Sequence, residues 1–145
     1  MSLGEYIKSE RFIHDSLVET AKKMVAVVRT GWNKRGKVEA FIVAWPKETV
    51  TSDTGHPIDG PCLAVLETIA GEEREAAIGL FAERTNAYAL LLVEQRAQKE
   101  VMAVFESPHG TCSWSIPLAR HGDRWVAGEP EEKSGGGSIG VLKRL

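Results

Sequence analysis

The chain has 145 residues, of which 43% are hydrophobic and 26% are charged, and its formal net charge is −2. This length and composition fit one globular domain that buries a proper core. The slight acidic excess gives no general attraction to phosphate backbones, no apolar run is long enough to span a bilayer, and the first residues lack the pattern of a secretory signal. We therefore expect no nucleic-acid partner, no membrane partner, and a cytoplasmic location with both cysteines reduced.

The first predicted element is a helix over residues 16–30, with Ser9 as an alternative start. Leu17, Ala21, Val25 and Val28 fall on one face at helical spacing, and Gly31 is a natural stop. Residues 38–45 follow as an apolar strand that ends near a proline. Residues 47–60 have no apolar period and are predicted to be a long loop.

Residues 61–70 fit two interpretations. Pro61 suits the first turn of a helix, and Leu63, Leu66 and Ile69 fit a helical stripe, although the same residues also alternate as in a strand. We prefer the helix. A second helix is predicted over residues 72–84, because Glu72 and its acidic neighbours favour a helix N-terminus; whether Gly71 separates two helices is left open.

The most apolar stretch is residues 87–93, which is short, bounded by polar residues and typical of a central strand. Further strands are predicted over residues 99–106, 111–118 and 124–127, joined by short links. Consecutive strands with short connections indicate an antiparallel meander. The predicted fold is therefore α+β, with two layers: a mainly antiparallel sheet of about five strands and both helices packed on one face.

The chain divides at residue 127. Residues 1–127 are predicted to form the domain, and residues 128–145 a flexible tail rich in glycine and glutamate. The tail still ends in apolar residues, among them Ile139, Leu142 and Leu145, which can dock by burying apolar area.

One set of residues has the chemistry of a metal site. His56, Cys62, His109 and Cys112 are the types of ligand that bind a tetrahedral zinc ion, although neither pair has a familiar finger spacing. Either cysteine, with a histidine as base, also has the elements of a thiol nucleophile. The simpler interpretation places His109 in a solvated hairpin turn and Cys112 in the core.

Other chemical motifs are weak. Glu94 directly follows the central strand and is the acid of most interest. The glycines at 135–137 lack the lysine and the helix of a phosphate-binding loop. Trp114 and Trp125 lie on neighbouring predicted strands, where cross-strand packing is favoured over a stacking platform for bases.

Without a convergent catalytic set, the sequence favours a non-enzymatic interaction or accessory protein that self-associates or binds a protein partner, with no cofactor. A complete core combined with sheet edges or faces that can pair supports this interpretation. The alternative is a small hydrolase with a zinc or thiol site built from His56, Cys62, His109 and Cys112.

Overall fold

The computed structural model describes residues 2, 10–47, 61–67, 69–96, 99–133, 139, 140 and 142. Within these residues the chain forms two helices and seven strands. In chain order they are α1 (Glu10–Arg35), β1 (Phe41–Pro46), β2 (Cys62–Val65), α2 (Gly71–Arg84), β3 (Ala87–Arg96), β4 (Glu100–Ser107), β5 (Gly110–His121), β6 (Arg124–Ala127) and β7 (Glu131–Lys133).

The strands form an antiparallel sheet with the lateral order β2-β1-β3-β4-β5-β6. β3, β4 and β5 are successive neighbours, as the meander prediction requires, and Pro108 and His109 make the tight turn between β4 and β5. β5 is long enough to pair with β6 near its end and with β7 through Ser113–Ser115. β2 lies at one edge of the sheet, where it pairs with β1.

α1 covers one face of the sheet with an apolar stripe. Leu17, Ala21 and Val25 are buried, and Trp32 continues the same stripe beyond Gly31. The helix therefore runs from Glu10, in agreement with the alternative start at Ser9, to Arg35, past the predicted end, and stops before Gly36, whose φ is +74°. Burial of the Trp32 indole outweighs the cost of about 1 kcal/mol that an internal glycine imposes on a helix.

α2 covers the other face. Ile78 and Ala82 pack with Ile42 and Leu90 in one core cluster, whereas α1 packs in a second cluster that contains Val43. Because neighbouring residues of a strand point to opposite faces, the two helices lie on opposite sides of the sheet.

The predicted α+β class, with an antiparallel sheet and packed helices, is confirmed. Two details differ. The sheet has seven strands instead of about five, since β2 and β7 are additional. The helices also take opposite faces instead of sharing one, because β1 and β3 are buried on both faces and need a cover on each.

The helix preferred for residues 61–70 is wrong where β2 forms. Cys62–Val65 pairs with Phe41–Ala44 and gives β1 its second neighbour. The residues alternate as in a strand: Ala64 packs against the α2 cluster, while Leu63 and Val65 face the other way and are exposed. Pairing with an apolar strand outweighs the weak helical stripe. α2 then begins at Gly71, whose φ is +60°.

Part of the predicted tail contacts the domain. Glu131–Lys133 forms β7, and Ile139 and Leu142 pack against the cluster that α2 covers. Residues 134–138, 141 and 143–145 lie outside the described residues. The domain boundary at residue 127 stays a prediction.

Neither helix in the described part of the chain combines the length and the hydropathy that a bilayer-spanning helix needs.

Candidate functional site

An open groove lies beside α1. α1 packs mainly against β4, β5 and β6, and Leu63 and Val65 of the edge strand β2 remain exposed on the same face. The groove has a volume of about 640 Å³ and runs between α1 and strands β1 and β2. Its apolar lining, called the apolar groove below, includes Met24 and Val27 of α1, Phe41 and Val43 of β1, and Leu63 and Val65 of β2.

Large apolar side chains in the groove are unusually exposed. Val27 is 70% exposed, Leu63 is 61% exposed and Val65 is 53% exposed. Two other large hydrophobic residues of the described chain are comparably exposed, Leu80 and Trp125, and neither lines the groove. Single exposed apolar residues are common on protein surfaces, but several gathered around one groove mark a binding surface.

The edge of the groove is positively charged. Lys23, Arg35 and Lys37 line it together with Glu39, so cations outnumber carboxylates there although the whole chain has a net charge of −2. Among the described residues, none of these three cations has an ion-pair partner. The groove therefore combines an apolar floor with a cationic edge, which suits a ligand that is apolar on one side and anionic beside it.

A buried serine–histidine pair lies away from the groove. His14 of α1 and Ser107 at the end of β4 are both buried, and His14 Nδ1 is 2.5 Å from Ser107 Oγ. Burial, the largest cause, lowers the pKa of His14, and the nearby Arg11 and His109 lower it further against an opposing effect of Asp15.

A neutral histidine beside a hydroxyl has the composition of a base and a nucleophile. Ser107 Oγ, however, also accepts a hydrogen bond of 3.1 Å from the backbone N–H of His109, and neither His14 nor Ser107 lines the apolar groove. The pair therefore connects α1 to the β4–β5 turn, and the geometry gives it a structural role.

The residues of the predicted zinc site are not all brought together. Cys62 lies on β2 and Cys112 on β5, and three strands separate them. Four steps of about 4.8 Å between strands place the two cysteines about 19 Å apart. His109 is close to Cys112 in sequence, in the turn that precedes β5, and His56 lies outside the described residues. The part of the chain that the structure describes contains no group of three or more potential metal ligands.

Cys112 has the electrostatics of an inert thiol. Burial, the largest cause, raises its pKa to about 11, and the carboxylate of Glu132 raises it as well. The thiol donates a hydrogen bond of 3.3 Å to Glu132 Oε1. Because the thiolate is the nucleophilic form of cysteine, this environment disfavours catalysis by Cys112 near neutral pH.

Glu94 is part of a structural contact. Its Oε2 lies 2.9 Å from Nη1 of Arg74 on α2. Arg74 also donates hydrogen bonds to the backbone carbonyl oxygens of Ile69 and Leu66, at 2.7 Å and 3.2 Å. The guanidinium therefore joins the segment after β2, the start of α2 and the end of β3.

The apolar groove was not among the sites predicted from the sequence. Two signals pointed to it: Val27 lies outside the buried stripe of α1, and Leu63 and Val65 share one face only if residues 62–65 form a strand. The preference for a helix in that stretch concealed the second signal.

Comparisons of the chain with protein-family models, with curated proteins and with solved structures found no match.

Proposed function

We propose that this is a non-enzymatic interaction protein of the cytoplasm that binds a protein partner through the apolar groove. The observation that carries the proposal is the exposure of Val27, Leu63 and Val65 around one groove of about 640 Å³. A reducing compartment is supported by the two free cysteines, which are too far apart to form a disulfide with each other.

Burial of the exposed apolar area in the groove favours binding of a partner. Fully burying a side chain such as valine or leucine contributes about 1.5–3 kcal/mol, and the three exposed side chains still have more than half of that area in water. A partner that covers the groove therefore gains roughly 3–5 kcal/mol from these residues alone, before the costs of association are subtracted. Such a cluster has the character of an interface centre, where few residues supply most of the affinity.

Substitution of the groove residues tests the proposal. We expect Val27→Asp and Leu63→Asp each to abolish capture of the partner in quantitative pulldowns, because either carboxylate disrupts the apolar floor. Leu80→Asp is the matched control, since Leu80 is 48% exposed but lies on α2, away from the groove. Circular dichroism establishes that all three variants fold.

Light scattering on the same proteins detects self-association. Two results together would contradict the proposed function: the protein stays monomeric at high concentration, and it captures the same proteins with and without Val27→Asp. Equal loss of binding in the Leu80→Asp control would equally remove the assignment to the groove.

A further inference from the structure

We infer that the occupant of the apolar groove is an amphipathic helix of a partner protein, about four turns long, with acidic residues beside its apolar face. This inference rests on the proposed function and adds the shape and the charge of the partner. Three properties of the groove support it: its width, its length and the charge of its edge.

The width corresponds to one helix. The exposed apolar side chains belong to α1 (Val27) and β2 (Leu63 and Val65), while Val43 of β1 is buried at the base of the groove, and a helix about 10 Å across with its side chains can contact both elements. Helices packed side by side have axes about 8–10 Å apart. A partner helix over β2 would therefore lie next to α1 and cover the exposed Leu63 and Val65.

The length corresponds to about four turns. The groove is lined by α1 from Thr20 to Arg35. At 1.5 Å per residue these fifteen steps span about 22 Å, and a partner helix of about fifteen residues matches that length. It would reach both ends of the floor.

A partner strand fits the groove less well. β2 has four residues, so its outer edge offers an added strand few backbone hydrogen bonds. The exposed side chains of Leu63 and Val65 point from the face of the sheet toward α1, not along the edge. The apolar area is therefore available to an element that lies on the face.

The charge selects an acidic partner over a second copy of this chain. A symmetric dimer that buried this groove would enclose Lys23, Arg35 and Lys37 of both copies against only the two Glu39 carboxylates, because a two-fold interface uses the same patch twice. Like charges that meet at an interface oppose association, whereas carboxylates flanking an apolar stripe complement these cations.

The test uses two synthetic peptides of about fifteen residues with capped ends. In both peptides, leucine at helical spacing forms the apolar face and alanine fills some of the positions between the leucines. The other positions are glutamate in one peptide and lysine in the other. Binding to the full chain is measured by fluorescence polarisation at low ionic strength. We expect the glutamate peptide to bind at least about tenfold more tightly than the lysine peptide, with the difference shrinking as salt is added.

Variants of the chain assign the contacts. Val27→Asp is expected to weaken binding of the glutamate peptide at least about tenfold. Leu80→Asp is expected to leave the affinity of that peptide unchanged. The double variant Lys23→Glu/Lys37→Glu is expected to reverse the preference, so that the lysine peptide binds more tightly. This reversal cannot result from general loss of fold, because it requires improved binding of one probe.

The other outcomes separate this inference from the proposed function. Equal binding of the two peptides would overturn the acidic occupant. Binding of neither peptide, with partner capture still lost in Val27→Asp, would overturn the helix and leave the proposed function standing. If the chain forms a dimer that dissociates on Val27→Asp but not on addition of the glutamate peptide, the occupant of the groove is a second copy. Peptide binding seen only after removal of residues 1–9 would identify the chain's own N-terminal segment, which also overturns the inference.

Discussion

His14 illustrates how a single buried residue connects two elements distant in sequence. Its ring packs against Phe105, with centroids 5.6 Å apart, and lies 6.2 Å from the ring of His109. Its Nδ1 shares a hydrogen bond with Ser107 Oγ. These contacts hold the first turns of α1 against the end of the β4–β5 hairpin, where burial disfavours a charged imidazole.

The lowered pKa of His14 predicts that acid destabilises the fold. Burial, the largest cause, keeps the folded-state pKa below the ordinary value of 6.5. Above pH 6.5 His14 is neutral in both states, so folding is not opposed. As the pH falls through 6.5, the unfolded chain takes up a proton that the folded chain does not, and the free energy of unfolding decreases until the folded-state pKa is passed.

Urea unfolding from about pH 8 to about pH 5 measures this effect. We expect His14→Gln to have a flatter pH dependence than the wild-type chain, even if it is less stable at neutral pH. His121→Gln is the control, because His121 is exposed at the end of β5. Parallel pH profiles for His14→Gln and the wild-type chain would contradict the assignment.

At the scale of elements, the last turn of α1 is attached to the end of β6. Asn33 Oδ1 accepts a hydrogen bond of 2.9 Å from the N–H of Ala127, and Asn33 Nδ2 donates one of 3.4 Å to the carbonyl oxygen of the same residue. Arg29 donates to that oxygen at 3.3 Å. The amide side chain thus pairs with Ala127 much as a neighbouring strand would.

Asn33→Ala is therefore expected to reduce the free energy of unfolding by about 1–3 kcal/mol, because it removes two hydrogen bonds and leaves the N–H of the buried Ala127 without this acceptor. Lys34→Ala, at the exposed neighbouring position, should change stability by less than about 0.5 kcal/mol. Chemical denaturation of the two variants makes the comparison. Equal stabilities would show that the Asn33 side chain does not stabilise the attachment of α1 to β6.

The sequence predicted elements wherever local pattern and tertiary packing agree. The meander from β3 to β5 was predicted because apolar runs with short polar links permit few other arrangements. The end of α1 was not, because Gly31 is a local stop signal and the burial of Trp32 is a tertiary effect. The strand alternative for residues 62–65 was not preferred for the same reason, since they become a strand through pairing with β1.

The candidate site was harder to predict than the fold. The groove exists because α1 packs mainly against β4, β5 and β6 and leaves Leu63 and Val65 of β2 exposed, and helix position on a sheet is not encoded in hydrophobic periodicity. The cysteines and histidines were predicted to form a site because of their residue types, but the strand order separates Cys62 from Cys112. Functional groups meet through topology, which one sequence does not reveal.

At the scale of the whole molecule, the two faces of the sheet are covered differently. α1 covers much of one face and leaves the apolar groove. α2 shares the other face with the C-terminal segment, from which Ile139 and Leu142 pack on the same core cluster. The buried carboxylate of Glu106 accepts backbone hydrogen bonds from Gly140 at 2.9 Å and Leu142 at 3.4 Å. Ile139, Gly140 and Leu142, the described residues after Lys133, therefore contact the core cluster and Glu106.

Truncation measures that contribution. We expect a chain that ends at Lys133 to lose about 3–5 kcal/mol of stability, because it exposes the apolar surface under Ile139 and Leu142 and removes two N–H donors from Glu106. A chain that ends at Ala127 also loses β7 and should be less stable still. Thermal unfolding, with light scattering to follow the oligomeric state, compares both with the full chain.

Glu106→Gln in the full and truncated chains isolates the role of the carboxylate. In the full chain the substitution should cost about 1–3 kcal/mol, since it weakens charge-assisted hydrogen bonds from Gly140 and Leu142. In the chain that ends at Lys133 it should cost less, because those donors are gone and a neutral amide is easier to bury than a carboxylate. The same cost in both backgrounds would show that Glu106 does not hold the segment. An unchanged melting temperature and oligomeric state after truncation at Ala127 would show that residues 128–145 are a passive extension.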